Sequence, residues 1–209
     1  MSVEAWPRMA VVGAGAVGCY FGGLLARAGA PVTLIGRQQH VAAISQDGLV
    51  LETGQFQDRV PISATTDIAA VSEASVVLLS VKTLDTESAA KSLLPHLAAG
   101  AILVSLQNGV DNVDRIRTAT GIDAIPAVVY VAAEMVAPGH VKHTGRGDLV
   151  IGEMRRGRNA SASQQRELSD LATVFARANV PCRLSDNIEG ELWSKLTINC
   201  AYKIGRAHV

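Results

Sequence analysis

The sequence predicts an α/β fold. A doubly wound, mostly parallel sheet carries antiparallel additions at one edge, and a helical segment follows it. Three observations lead there. Short, continuously apolar runs alternate with longer helical patterns as far as Gly121. A glycine pattern separates the first strand from the first helix. After Gly121 the runs shorten and are split by PG and RG turns.

In chain order, Met9–Val12 is a strand, residues 16–28 a helix ending at Gly29, and Val32–Ile35 a second strand. Residues 40–45 lie in a second helix, while 49–52 and 59–62 form a β excursion. Residues 75–81 hold successive Val and Leu, as a strand buried on both faces requires. A helix over 85–97, a buried strand over 101–106 and a short helix over 110–117 follow. Beyond Gly121, the runs 125–131, 134–137, 141–144 and 148–151 read as short antiparallel edge strands. The polar stretch 155–163, RRGRNASAS, reads as a solvated loop whose arginines suit an anion. Helix 168–178 and strand 181–184 complete this part. Asp186 with Glu189 has the spacing of a capping box for a last helix. On that helix Ile188, Leu192 and Leu196 form one stripe and Glu191, Lys195 and Asn199 another.

Composition narrows the function. The 209 residues are 48% hydrophobic, enough for a sizeable core, so a disordered chain is not expected. Nineteen basic side chains balance nineteen acidic ones, which argues against an electrostatic nucleic-acid binder. No apolar run reaches membrane-spanning length, and no signal peptide is evident. Cys19, Cys182 and Cys200 make no CxxC pair, so neither a disulfide framework nor a metal site is expected, and a cytoplasmic setting is.

The glycine pattern is Gly13-Ala14-Gly15-Ala16-Val17-Gly18, or GxGxxG, placed between a strand and a helix. In that setting it predicts dinucleotide binding. Gly13 allows the tight turn, Gly15 lets a pyrophosphate approach, and Gly18 lets helix and strand pack closely. The helix N-terminus offers free N–H groups to the phosphates. An acidic residue after the second strand would hold an unphosphorylated ribose. Gly36-Arg37 stands there instead, which predicts NADP(H). Lys82 and Asn108 follow two further strands, so four strand ends deliver their residues to one rim. GxxxxGK[ST] is absent, and no tyrosine has lysine four residues on. His96, His140 and His143 form no HExxH pattern and read as surface or turn residues.

GAGAVG, SVKT (80–83), QNG (107–109) and LWSKLTINC (192–200) occur in that order. Together they resemble the ketopantoate reductase family, the NADPH-dependent 2-dehydropantoate 2-reductases of pantothenate synthesis. The resemblance implies a Rossmann-like cofactor domain over residues 1–185 and the start of a helical substrate domain over 186–209. It implies catalysis by Lys195, substrate binding by Asn199 and Asn108, and cofactor contacts from Lys82 and Asn108. The chemistry agrees with these roles. Hydride transfer to a 2-oxo acid builds negative charge on oxygen, which an ammonium stabilises and protonates. Two readings compete: a related reductase for another 2-oxo acid, and a non-catalytic NADP-binding sensor. The partners expected are a small 2-oxo acid and, in the intact enzyme, a second copy in a homodimer, but neither nucleic acid nor membrane.

The family's helical domain continues past this chain, so a C-terminally truncated, poorly active protein with Leu192 and Leu196 exposed is expected. Residues 204–209, IGRAHV, also translate a common sequencing-library adapter (ATC GGA AGA GCA CAC GTC), with Lys203 as the hybrid codon. They are therefore expected to be non-native. Genomic sequence encoding IGRAHV in frame before a natural stop would overturn this.

Overall fold

Alternation in the apolar runs builds a sheet covered on both faces. In β1 (Met9–Val12), Met9 and Val11 enter one core cluster while Ala10 and Val12 enter another on the opposite face. The computed structural model describes residues 5–154 and 161–206, the last five by backbone alone. β2 (Val32–Ile35), β6 (Val76–Leu79) and β7 (Ile102–Ser105) repeat the pattern. With both faces buried, none of these strands shows the apolar–polar alternation of a half-exposed sheet.

The remaining strands are β3 (Leu49–Glu52), β4 (Gln57–Val60), β5 (Ser63–Thr65), β8 (Ile125–Ala137), β9 (His140–Gly152) and β10 (Cys182–Ser185). The sheet order is β4-β3-β9-β8-β7-β6-β1-β2-β5, with β10 alongside β9. From β8 to β5 every pairing is parallel. Helix α1 (Ala16–Arg27) buries Phe21, Leu24 and Leu25 on one face, where α5 (Ala162–Arg177) adds Leu171, Val174 and Phe175. On the other face α3 (Thr86–Leu93) contributes Ala90 and Leu93, and α4 (Asn112–Thr120) contributes Ile116. The chain runs from β1 outward through α2 (Gln38–Asp47) to β5, then crosses back to β6 on β1's other side. The direction of winding therefore reverses between β1 and β6, where doubly wound sheets open a crevice.

Several expectations are corrected. The four runs after Gly121 form two thirteen-residue strands, β8 and β9, whose pairing continues across bulges near Val131, Ala132 and Met135. The helix over 85–97 is cut short by Pro95, which falls in a 3-10 turn at Leu94–His96. α4 starts at Asn112 rather than 110. α5 begins at Ala162, six residues before the predicted start, because Ser161 and Gln164 form a reciprocal capping box. Residues 155–160, most of the predicted solvated loop, and 207–209 of the IGRAHV tail lie outside the described residues.

The last helix, α6 (Ile188–Arg206), is capped by Asn187, not by Asp186. Asn187 Oδ1 accepts from Gly190 N at 3.2 Å, and its carbonyl accepts from Glu191 N. Leu192, expected to be exposed, is 7% exposed and packs with Ile188, Val128 and Val150 against β8 and β9. Among the described residues of α6 the exposed large apolar side chains are Trp193 and Ile198, and Leu196 is half-buried. No described helix is long and apolar enough to cross a membrane.

Candidate functional site

The glycine loop is shaped by contacts that leave no room for side chains at two positions and ample room at a third. Gly13 has φ +107°, and a Cβ there would sit 2.8 Å from the Ser80 backbone. At Gly18 a Cβ would stand 2.2 Å from Gly13 O and 2.5 Å from Ser80 Oγ. Ser80 Oγ donates to Gly13 O at 2.8 Å, so the end of β6 fixes the loop after β1. Above Gly15 the space is open, with nothing within 4 Å.

That loop lines a cleft of about 420 Å³ with Gly36, Arg37, His40, Ser80, Lys82 and Asp85. Arg37 is exposed at the N-cap of α2, and Lys82 is exposed at the β6 end. His40 was not foreseen. It is 6% exposed and its Nδ1 has no hydrogen-bond partner among the described residues. Burial, and secondarily the Arg37 charge, holds its imidazole below the ordinary range.

A second cavity of about 750 Å³ is lined by Val17, Asn108, Val129, Tyr130, Arg146, Lys195, Asn199 and Cys200, among others. Val17 belongs to the glycine motif, so the two spaces flank the same loop and helix start. Lys195 Nζ donates to Asn108 Oδ1 at 2.9 Å and to the Val129 carbonyl. Burial lowers its pKa from 10.5 to about 8. The alternative of a Glu191–Lys195 surface pair is not realised, because Glu191 Oε1 accepts from Arg183 Nη2 at 2.6 Å. Asn199 lines the same cavity one helical turn on. Thus Lys195, Asn199 and Asn108 come together. Arg37 and Lys82 gather around the first cleft with Gly13–Gly15.

Beneath Asn108 lies a buried polar network that residue patterning does not predict. Gln107 Nε2 donates to Thr86 Oγ1 at 2.6 Å and to the Val81 carbonyl at 3.1 Å. Ser105 Oγ donates to Gln107 Oε1 at 3.1 Å. Thr83 Oγ1 and Asn112 Nδ2 both donate to the Asn108 carbonyl at 2.9 Å. Every buried polar group here finds a partner, so the ends of β6 and β7 are locked to each other and Asn108 is held in place. The SVKT and QNG stretches meet in this network. Tyr130 and Arg146 were not foreseen either. Arg146 stacks over the Tyr130 ring at 4.2 Å and pairs through two nitrogens with Asp148. The bulges that bring Arg146 to the cavity have no signal in residue periodicity.

Comparison with known proteins shows the family and the fold. The family model described as "Ketopantoate reductase PanE/ApbA" matches residues 9–156. A 2-dehydropantoate 2-reductase of Pyrococcus abyssi is 36% identical over 194 residues, covering 93% of this chain and 61% of that protein. The crystal structure of a PanE/ApbA family ketopantoate reductase from Ralstonia eutropha JMP134 superposes with a TM-score of 0.84 at 50% identity, over 93% of this chain and 61% of the other. A D-mandelate dehydrogenase in a ternary structure with NADH and anilino(oxo)acetate shares the fold, with a TM-score of 0.81 at 22% identity over 92% and 61% of the two chains. The chain spans about 61% of the length of these relatives.

Proposed function

Because the chain belongs to the ketopantoate reductase family PanE/ApbA, we propose that it is the cofactor-binding part of an NADPH-dependent 2-dehydropantoate 2-reductase, with the first helix of the substrate-binding part. We assign residues 1–185 to the former and 186–209 to the start of the latter, with 204–209 as a non-native tail. The observation that carries the reading is Lys195, a half-buried ammonium with a lowered pKa, aimed with Asn108 and Asn199 into the cavity beside the glycine loop.

The residues present fit the cofactor. Open space above Gly15, closed space at Gly13 and Gly18, and the N-terminus of α1 make a cradle for a pyrophosphate. Arg37 stands where a ribose 2′-phosphate would be met, with no carboxylate at that strand end to repel it. When bound, NADPH supplies the hydride for C2 of the 2-oxo acid. Lys195 then does two things. Its charge stabilises the developing alkoxide, and it gives that oxygen a proton, so that carbonyl plus hydride plus proton becomes the alcohol of pantoate. Asn108 holds the ammonium and, with Asn199, offers polar contacts to the substrate. Lys82, at the Gly-loop cleft, adds a positive charge toward the cofactor phosphates. Burial pushes the Cys19 and Cys182 thiols up to about 12, so both stay protonated near neutral pH.

The test is NADPH oxidation by the protein extended to its relatives' length, with ketopantoate, with other 2-oxo acids, and with NADH. Fast turnover selective for NADPH and ketopantoate is expected. Selective turnover of another 2-oxo acid would overturn the substrate assignment. Cofactor binding without any turnover would overturn the enzymatic reading.

A further inference from the structure

The lysine cavity carries a second cation that the proposed reaction leaves idle. Arg146 is the extra residue of a bulge in β9: Val131 pairs with Gly147 and Ala132 with Gly145, so the ladder skips Arg146. A bulge re-aims the side chain it carries. Here the side chain lies over the Tyr130 ring, whose centroid is 4.2 Å from the guanidinium carbon. Lys195 Nζ lies 5.6 Å from the same centroid, so the two cations are neighbours around one ring. Tyr130, Arg146 and Lys195 all line the one cavity.

Arg146 is exposed, yet it is held from several sides. Its Nε and Nη2 donate to the two oxygens of Asp148, at 3.0 and 2.7 Å. His143 Nε2 donates to the Arg146 carbonyl at 2.6 Å, and the His143 ring stacks on Tyr20. A long side chain loses rotamer freedom when it takes a ligand, and this one is already ordered. The Asp148 pair occupies one edge of the guanidinium. Nη1 makes no hydrogen bond among the described residues. The charged residues lining the cavity are Lys195 and Arg146, and no carboxylate lines it; Asp148 is not part of the lining. Two neighbouring cations in a space without carboxylates suit an anion. In a 2-oxo acid the carboxylate is bonded directly to the carbon that bears the oxo group, so both oxygen groups can be met at once.

We propose that Arg146 is a specificity residue for the substrate's carboxylate: its free Nη1 edge takes the carboxylate while Lys195 takes the oxo oxygen, so the site selects 2-oxo acids over neutral 2-oxo compounds. This rests on the 2-oxo acid reading above. Asp148 and Tyr130 are positioning residues that hold the guanidinium. A carboxylate with no partner of its own would compete for the Lys195 ammonium, whose charge the developing alkoxide needs. Arg146 relieves that competition.

The experiment is steady-state reduction by the protein extended to its relatives' length, with ketopantoate and with its primary amide. The two share the oxo group and the alkyl chain and differ in charge. The wild type should prefer the acid. Arg146→Gln should lower that preference, as the ratio of kcat/KM values, about 10- to 100-fold, chiefly by raising KM for the acid. Arg146→Lys keeps a point charge without the planar fork and should recover part of the preference. A ratio that stays put in Arg146→Gln, whether or not overall activity falls, leaves Arg146 a structural role only and overturns the proposal. Should the wild type reduce a different 2-oxo acid, that acid and its amide replace the pair. A fall in their ratio then supports Arg146 while the ketopantoate assignment fails. Reduction of no 2-oxo acid overturns both. Should Arg146→Gln fail to fold, the Nε–H resonance of wild-type Arg146 is followed by NMR as oxamate, or the neutral oxamide, is added. A resonance that moves with oxamate alone supports the proposal, and one that ignores oxamate or follows both equally overturns it.

Discussion

The glycine loop and the lysine cavity flank the same helix start, yet they are built on opposite principles. The loop works through atoms that are missing. Gly13 and Gly18 are pinned against Ser80 with no room for a methyl group, and Gly15 faces open space. The cavity works through one charge that is present. Lys195 is held by two acceptors, Asn108 Oδ1 and the Val129 carbonyl, on elements far apart in sequence. The first design tolerates no added volume, and the second no lost charge. Substitutions that break one should leave the other standing.

Removing the charge is the sharpest cut. In the protein extended to its relatives' length, Lys195→Ala should lower the proposed turnover of ketopantoate about 10²- to 10⁴-fold, the range for a positioned proton donor. Cofactor affinity, which we propose is set at the other cleft, should stay within about twofold. Parallel steady-state kinetics and nucleotide titration separate the two. A loss of nucleotide binding as large as the loss of turnover would mean that the cleft and the cavity act as one unit.

Packing under the lysine helix comes next. Leu192 is buried with Ile188, Val128 and Val150, and it holds α6 on the face of β8 and β9. Leu192→Ala should cost about 2–5 kcal/mol of stability, read by denaturant unfolding. Added volume at the loop follows. Gly18→Ala forces a Cβ against a carbonyl oxygen and should cost about 1–3 kcal/mol. Gly15→Ala meets no atom, so its stability should change by less than about 0.5 kcal/mol, while nucleotide affinity falls because the methyl occupies the approach path. If both alanines destabilised equally, the open space above Gly15 would not be a ligand path.

The two regions also differ in how much of them the sequence discloses. The loop was legible because its chemistry is local. Six consecutive residues, a strand before and a helix after give both the turn and its purpose. Strands β1, β2, β6 and β7 were legible for the same reason, as continuous apolar runs. From residue spacing Lys195 and Asn199 were legible only as one helix face, and their catalytic and substrate-binding roles came from the family resemblance. Their partner Asn108 is 87 residues from Lys195, and the Val129 carbonyl has no side-chain signature at all. The network of Gln107, Thr86, Ser105 and Asn112 was invisible for a similar reason, since uncharged polar residues near strand ends usually read as turns. The α6 cap shifted by one residue because Asp186 and Asn187 are both good caps, and only tertiary packing chooses between them. His40 reads as one residue of an ordinary helix, because burial is not a local property.

The smallest expected effect tests the origin of the lysine's reactivity. Burial lowers the Lys195 pKa to about 8, so the ammonium predominates below that pH and the free amine above it. Reduction consumes a proton from the ammonium. For the free enzyme kcat/KM should therefore fall as pH rises through about 8, losing about tenfold per unit beyond it. Oxidation of pantoate needs the amine to accept a proton, so its rate should rise over the same interval. Bound cofactor phosphates and the substrate carboxylate favour the charged form, so the corresponding limb of kcat should lie at higher pH. Two variants sharpen the assignment. Lys195→Arg keeps a charge that does not titrate in this range, so its residual activity should lack the limb. Asn108→Ala removes an acceptor that favours the ammonium, so its limb should move to lower pH. A limb that stayed near pH 8 in Lys195→Arg would belong to another group, and desolvation of Lys195 would then not be what sets the pH range of catalysis.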